Sequence, residues 1–214
     1  NIGESKMFKI KEMALYKTTD RFLNNYKHLK NSLNRDPTLE EISDIDQLHY
    51  NGIKAVNEAI LKTKINKNSI VLDIGSGIGG PARFIANQTK SKIYAIEIQE
   101  QLNNIAKRLT IKYKLDNNIN HINTDILNYN FQNLKFTNIV SWLAMYHIPN
   151  RAKLLKIISN VLHNDGYLYS EDFYLKKNLN NTEKENLARL FHANHLVSYE
   201  CYLRELVNNN FKVL

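Results

Sequence analysis

Cysteine is almost absent from this chain. Cys201 stands alone among 214 residues, so no internal disulfide can form, and a reducing cytoplasm is the expected compartment. Its setting, SYECYLREL, has the spacing of an amphipathic helix and reads as a packed thiol, not a nucleophile. No apolar run approaches the length of a membrane span, and the polar N-terminus is unlike a signal peptide. There is no sequence repeat and no low-complexity linker, so one domain able to bury a sizeable core is expected. The net charge of +8 invites a nucleic-acid reading, but lysine and arginine are scattered and form no compact block. An Asn/Asp-Pro-Pro-Tyr motif is also lacking, which argues against chemistry on exocyclic base amines. Nucleic acid is therefore disfavoured as a partner, and a small molecule is favoured; the oligomeric state is left open.

Glycine is sparse as well, seven in all, and four of the seven fall within ten residues, in VLDIGSGIGG from Val71 to Gly80. Val71, Leu72 and Ile74 form a short apolar run of buried-strand type with Asp73 among them. Gly75, Gly77, Gly79 and Gly80 follow, and Pro81 opens a helix at once. A strand, a glycine turn and a helix let backbone approach a ligand beside the helix N-terminus. About 20 residues on, Glu97 ends a second apolar strand, where a carboxylate can accept both hydroxyls of a ribose. Dinucleotide turns usually keep the position of Asp73 apolar, whereas an acid there can face a bound amino group. Together these favour S-adenosylmethionine, which carries an ammonium and no pyrophosphate. A nicotinamide-dependent oxidoreductase is the disfavoured alternative, and a turn that only packs a helix on a sheet is the bland one.

Residues 5–35 have a helical, amphipathic pattern, with Tyr16, Phe22 and Tyr26 among lysines and asparagines. Asp36-Pro37 breaks it, and Thr38 with Glu41 has the form of a capping box. A further helix through GIKAVNEAILKTK leads to the first strand. From there strands are expected at 70–74, 92–97, 119–122, 137–142 and 166–172, and helices at 81–89, 99–115, 150–162, 182–192 and 199–209. Such alternation specifies an α/β fold, a doubly wound and mostly parallel sheet with helices on both faces. The boundaries expected are 1–66 for an N-terminal helical lid and 67–214 for the α/β core of a single domain. FKVL at 211–214 has the look of a further strand beginning.

With these residues placed, the chain resembles the class I S-adenosylmethionine-dependent methyltransferases over nearly its whole length. The nearest branch is similar to the N-methyltransferases of phosphoethanolamine and of sarcosine/dimethylglycine. VLDIGSGIGG matches the first methyltransferase motif, which implies Asp73, Gly75, Ser76 and Gly77 at the cofactor. AIEIQ matches the second and implies Glu97 on the ribose, with Ile98 and Gln99 near the adenine. NTDIL puts Asp125 and Ile126 at the adenine amino group. SWLAMYHIPNR matches the motif after the fourth strand, with Trp142 toward the cofactor, and DQLHYNG matches a segment that covers it. VSYECYLRELVNNNFKVL resembles the helix and sixth strand after the substrate region. The sheet of that family gains two more strands beyond this point, so a fragment or a naturally short form is expected. The phosphoethanolamine enzymes carry an acid four residues before the histidine of the fourth-strand motif. Here that position is Leu143, which bears on the substrate more than on the reaction.

Methyl transfer requires an amine in its neutral form, and His147 has the side chain whose ordinary pKa suits that task. It acts as base or polariser, or it merely caps the helix beginning near Pro149. Gln47 and His49 bond the cofactor's carboxylate or close over the substrate; otherwise the segment caps a helix through Asp46. Tyr16 and Tyr26 lie on helices that act as a lid in the resembled branch and are candidates for an aromatic cage around the amine. Tyr146, Asp172 and Tyr174 are candidates for substrate contact. His192 and His195 sit three apart with no convincing further ligand, so no metal site is expected. Transfer to a small amine is the favoured reading. Transfer to oxygen or carbon of a lipid-like or natural-product acceptor, and an inactive regulatory subunit, are the alternatives.

Overall fold

The computed structural model describes residues 16–214, with side chains from residue 20 onward. Five strands form one sheet: β1 (Ile70–Ile74), β2 (Lys92–Glu97), β3 (Ile119–Asn123), β4 (Phe136–Trp142) and β5 (Leu162–Glu171). Their order is β3-β2-β1-β4-β5, and every pairing is parallel. The helices are α1 (Tyr16–Leu33), α2 (Leu39–Ser43), α3 (Gly52–Lys62), α4 (Gly80–Thr89), α5 (Glu100–Lys112), α6 (Arg151–Val161), α7 (Asn181–Phe191) and α8 (Tyr199–Asn208). This is the doubly wound arrangement expected from the alternating pattern.

Strand β1 is central and covered on both faces, which accounts for its near-continuous apolar run. One core layer holds Val56 and Ala59 of α3 and Ile85 of α4 against Val71, Ile93 and Val140. The opposite layer holds Leu154, Leu155 and Ile158 of α6 against Leu72, Ile74 and Ile139. A third cluster docks α1 and α2 onto α5 through Phe22, Ile42, Leu102, Ile105 and Leu109. Burying Phe22 to 3% exposure contributes about 2 kcal/mol toward holding α1 in place.

Local chemistry accounts for the element ends. Thr38 and Glu41 form the reciprocal capping box of α2. Asn150 caps α6, its side chain accepting from the Lys153 amide. Two expectations fail. Strand β5 starts four residues earlier than the apolar run, with a register irregularity opposite Phe136 to Asn138. Residues 211–214 form no strand: the Phe211 amide donates to Leu206 O at the end of α8, which spends it on the helix end and not on a ladder.

The strand order reverses at β1, with β2 on one side and β4 on the other. The carboxyl ends of these three strands therefore frame a crevice, the place where such sheets bind ligands. Among the described residues, no helix is long and apolar enough to cross a membrane.

Candidate functional site

The crevice is a cavity of about 270 Å³. Its floor is the end of β1 and the glycine turn, where the Gly75 and Ser76 amides both donate to Ile96 O, at 2.9 and 3.0 Å. Gly77 has φ +54, a left-handed conformation that favours glycine. It faces the cavity, where a Cβ would come within 3.5 Å of the Leu48 side chain.

Three acids lie at this end. Glu97 is buried on the wall; its two oxygens accept from the Gly77 amide at 2.9 Å and the Gln99 amide at 2.8 Å. Burial raises its pKa and these amides oppose the rise. Each oxygen retains a lone pair for a hydroxyl donor. Asp125 also lines the cavity while accepting from the Leu127 amide and the Asn128 side chain. Ile98, Gln99 and Ile126 complete this wall. Asp73 lies beneath the turn and does not line the cavity. It is completely buried and neither carboxyl oxygen has a partner; burial, then the Glu97 charge, push it up to about 8. The Ser76 hydroxyl and the Trp142 indole N–H are likewise buried without partners. Orphaned acceptors and donors on both sides of one glycine turn fit a polar ligand carrying an ammonium, such as the methionine end of S-adenosylmethionine.

The far wall comes from the segment after β4. Leu143 holds φ +53, unusual for a branched side chain, and its amide donates to Glu171 O at 2.8 Å. This strained backbone turns the chain into a short 3-10 turn, Met145–His147, that brings Tyr146 and His147 to the cavity. His147 Nδ1 lies 3.2 Å from the His192 carbonyl. A carbonyl only accepts, so Nδ1 carries the proton and Nε2 keeps its lone pair. Burial lowers this imidazole to about 4, so the ring is neutral at neutral pH. It is not a helix cap, a role Asn150 fills. Tyr146 packs on His147 with ring centroids 3.9 Å apart, and burial raises its phenol to about 12.

Other candidates lie elsewhere. Tyr26 does not line the cavity: its hydroxyl accepts from Lys112 at 2.5 Å on α5, because α1 docks there. The side chain of Tyr16 lies outside the described residues. The Asp172 carboxylate accepts from the Tyr202 hydroxyl and the Phe173 amide and lies 3.7 Å from Arg151, which satisfies it away from the cavity. Tyr174 is exposed and packs against Tyr199. Gln47 bonds to Asp46 and His49, and His49 stacks on Trp142 beside the glycine turn. Asp46 caps no helix; its carboxylate pairs with Arg83. Leu48 was missed as a site residue because an apolar side chain in a polar segment gives no signal of a cavity wall. Among the described residues, no group of three or more His, Cys, Asp or Glu side chains is placed to hold a metal ion.

Comparison with known proteins bears on this geometry. The model of the methyltransferase domain family matches residues 65–210, more than half of the chain. A sterol 24-C-methyltransferase of Debaryomyces hansenii is 31% identical over 105 residues, covering 49% of this chain and 28% of that protein. The phosphoethanolamine N-methyltransferase of Plasmodium falciparum is 29% identical over 165 residues, covering 75% of this chain and 60% of that protein. The chain thus spans between about a quarter and three fifths of these relatives. Among solved structures, the Haemonchus contortus phosphoethanolamine N-methyltransferase 2 in complex with S-adenosyl-L-methionine superposes with a TM-score of 0.76. It has 18% identity and covers 98% of this chain and 45% of that one. That likeness carries the fold, a Rossmann-like class I methyltransferase sheet, and the family match carries membership. The chain belongs to the methyltransferase domain family.

Proposed function

We propose that this protein binds S-adenosylmethionine and transfers its methyl group to the nitrogen of a small amine, with His147 orienting the acceptor. The cofactor supplies an electrophilic methyl on a good leaving group, so the protein's task is placement and proton handling. In this reading Glu97 accepts the ribose hydroxyls, Asp125 the adenine amino group, and the glycine turn with Ser76 holds the amino-acid end, Asp73 acting on it from beneath the turn. The lid in this reading is the segment from Asp46 to Tyr50, supported by Leu48 on the cavity wall.

The observation that carries the acceptor assignment is the fixed tautomer of His147, which leaves a neutral Nε2 in a cavity lined by Tyr146 and Leu143. A base with a pKa near 4 is too weak to strip an alkylammonium of about 10; six units correspond to about 8 kcal/mol. His147 therefore acts by accepting a hydrogen bond from an amine that binds neutral, aiming the nitrogen lone pair. This favours polarisation over full proton abstraction. Phosphoethanolamine, glycine and sarcosine, whose neutral amines keep an N–H to donate, are the first acceptors to try, given the enzymes the chain resembles; dimethylglycine, whose neutral amine has none, tests whether that contact is needed.

A second reading is carbon methylation of an apolar acceptor, favoured by the apolar wall of Leu48, Ile126, Trp142, Leu143 and Ile148 and by the sterol 24-C-methyltransferases among the relatives. Turnover against amines and, in parallel, isoprenoid and sterol acceptors decides between them. Methylation of apolar acceptors alone refutes the amine reading. Cofactor binding without turnover on either panel would point to a regulatory subunit, and calorimetric binding of NAD in place of S-adenosylmethionine would refute the whole proposal.

A further inference from the structure

The segment from Asp46 to Tyr50, between α2 and α3, sets Leu48 on the cavity wall and His49 against Trp142. One chain of polar contacts holds it there. Arg83 on α4 is fully buried and donates to Ile78 O at 2.7 Å and to the equally buried Asp46 carboxylate at 2.8 Å. A Cβ on Gly80 would fall 2.3 Å from Asp46 O, so only glycine there admits the segment. The other Asp46 oxygen accepts from Gln47 Nε2 at 2.7 Å. Gln47 Oε1 lies 3.1 Å from His49 Nε2. His49 Nδ1 lies 2.9 Å from Tyr50 O and 3.4 Å from Glu171 Oε2, at the end of β5.

Donor counting along this chain leaves one arrangement. A carboxylate only accepts, so Asp46 turns the Gln47 amide with its NH₂ inward and its carbonyl toward His49. Flipping the amide would set two acceptors against each other at 2.7 Å. The Tyr50 carbonyl also only accepts. Both ring nitrogens of His49 therefore face acceptors, and both bonds exist only when the ring carries two protons. Glu171 is its counter-ion.

We propose that His49 is a positioning residue whose imidazolium latches the Asp46–Tyr50 segment over the cofactor cavity. With the second proton lost, Nε2 meets Gln47 Oε1 lone pair to lone pair, and the segment loosens. The charged groups facing the ring are Glu171 from β5, with Glu58 of α3 acting on Glu171, and Asp46 through Gln47. Trp142 of β4 stacks on it, with Tyr169 of β5 beyond. Burial lowers the imidazole on balance and the Tyr50 carbonyl opposes it only in part, so the second proton depends on the acceptors around the ring and is lost more readily than from a free imidazole.

The test is nitrogen NMR of the full chain labelled at histidine, from about pH 5.5 to about pH 8.5, beside calorimetry with S-adenosylhomocysteine over the same range. A doubly protonated His49 at the acid end, with affinity falling several-fold as it titrates, is expected. Gln47→Met removes the acceptor that demands the second proton and should flatten the affinity profile. His49→Phe should flatten it as well. A neutral His49 ring at the acid end with full affinity overturns the latch, as does a pH profile unchanged in both variants. Absence of any S-adenosylhomocysteine binding would refute the cofactor assignment, and the NMR titration would still decide the protonation.

Discussion

Replacing Asp73 by asparagine tests the most unusual electrostatic feature of this protein. The carboxyl is fully buried, has no hydrogen-bond partner and is pushed up to about 8 by burial and then by Glu97. The unfolded chain binds no proton at this site above about pH 4, whereas the folded chain holds one until about pH 8. Folding stability from this group is therefore full below the unfolded pKa and is lost as pH rises through that window, at about 1.4 kcal/mol per pH unit. From about pH 5 to about pH 8 the loss amounts to about 4 kcal/mol. His121 and His147 act in the opposite sense. Burial lowers them to about 3 and about 4, so their contribution is lost as pH falls from their unfolded values toward the folded ones. The measurement must therefore be a difference. Urea unfolding of wild type and Asp73→Asn across this range cancels the histidines. The asparagine variant should gain steadily on wild type as pH rises. Parallel profiles would mean that Asp73 ionises at its ordinary pKa, and that water or another group reaches it.

Glu97→Ala removes the acceptor of two amides at the cavity and should weaken S-adenosylhomocysteine binding by about 1.5–3 kcal/mol, tenfold to a hundredfold, by calorimetry; unchanged affinity would refute the ribose assignment. Arg83→Met leaves Asp46 buried without its partner and should cost about 3–5 kcal/mol in urea unfolding, much of it recovered by the double variant with Asp46→Asn; no recovery would show that packing, not charge, is lost. His147→Ala should lower kcat by about 10²-fold or more with cofactor affinity unchanged. An equal loss in cofactor affinity would place His147 at the cofactor instead.

Much of the fold was legible because its determinants are local. Apolar runs bounded by turn residues marked β1 and β2, the 3.6-residue spacing marked α5 and α6, and Thr38 with Glu41 announced α2. The glycine turn and Glu97 were legible for the same reason: they follow strands whose ends are easy to find, and parallel pairing puts those ends side by side. Strand β5 was harder, since its first residues are polar and exposed and its extent depends on pairing with β4. Asp172 illustrates the limit at the site. Its position after β5 suggested the crevice, but Tyr202, thirty positions further on, turns the carboxylate elsewhere.

The sequence by itself determined the alternation of strands and helices, the parallel sheet and the cofactor end of the crevice, because these rest on periodicity and on glycine, proline and capping chemistry within a few residues. Only the tertiary structure decided which polar groups meet. Arg83 reaches Asp46 across 37 positions and His147 reaches the His192 carbonyl across 45. A contact of this kind sets the tautomer of His147, and burial sets the ionisation of Asp73. Charge states depend on burial and on partners brought in by folding, and no local pattern encodes either.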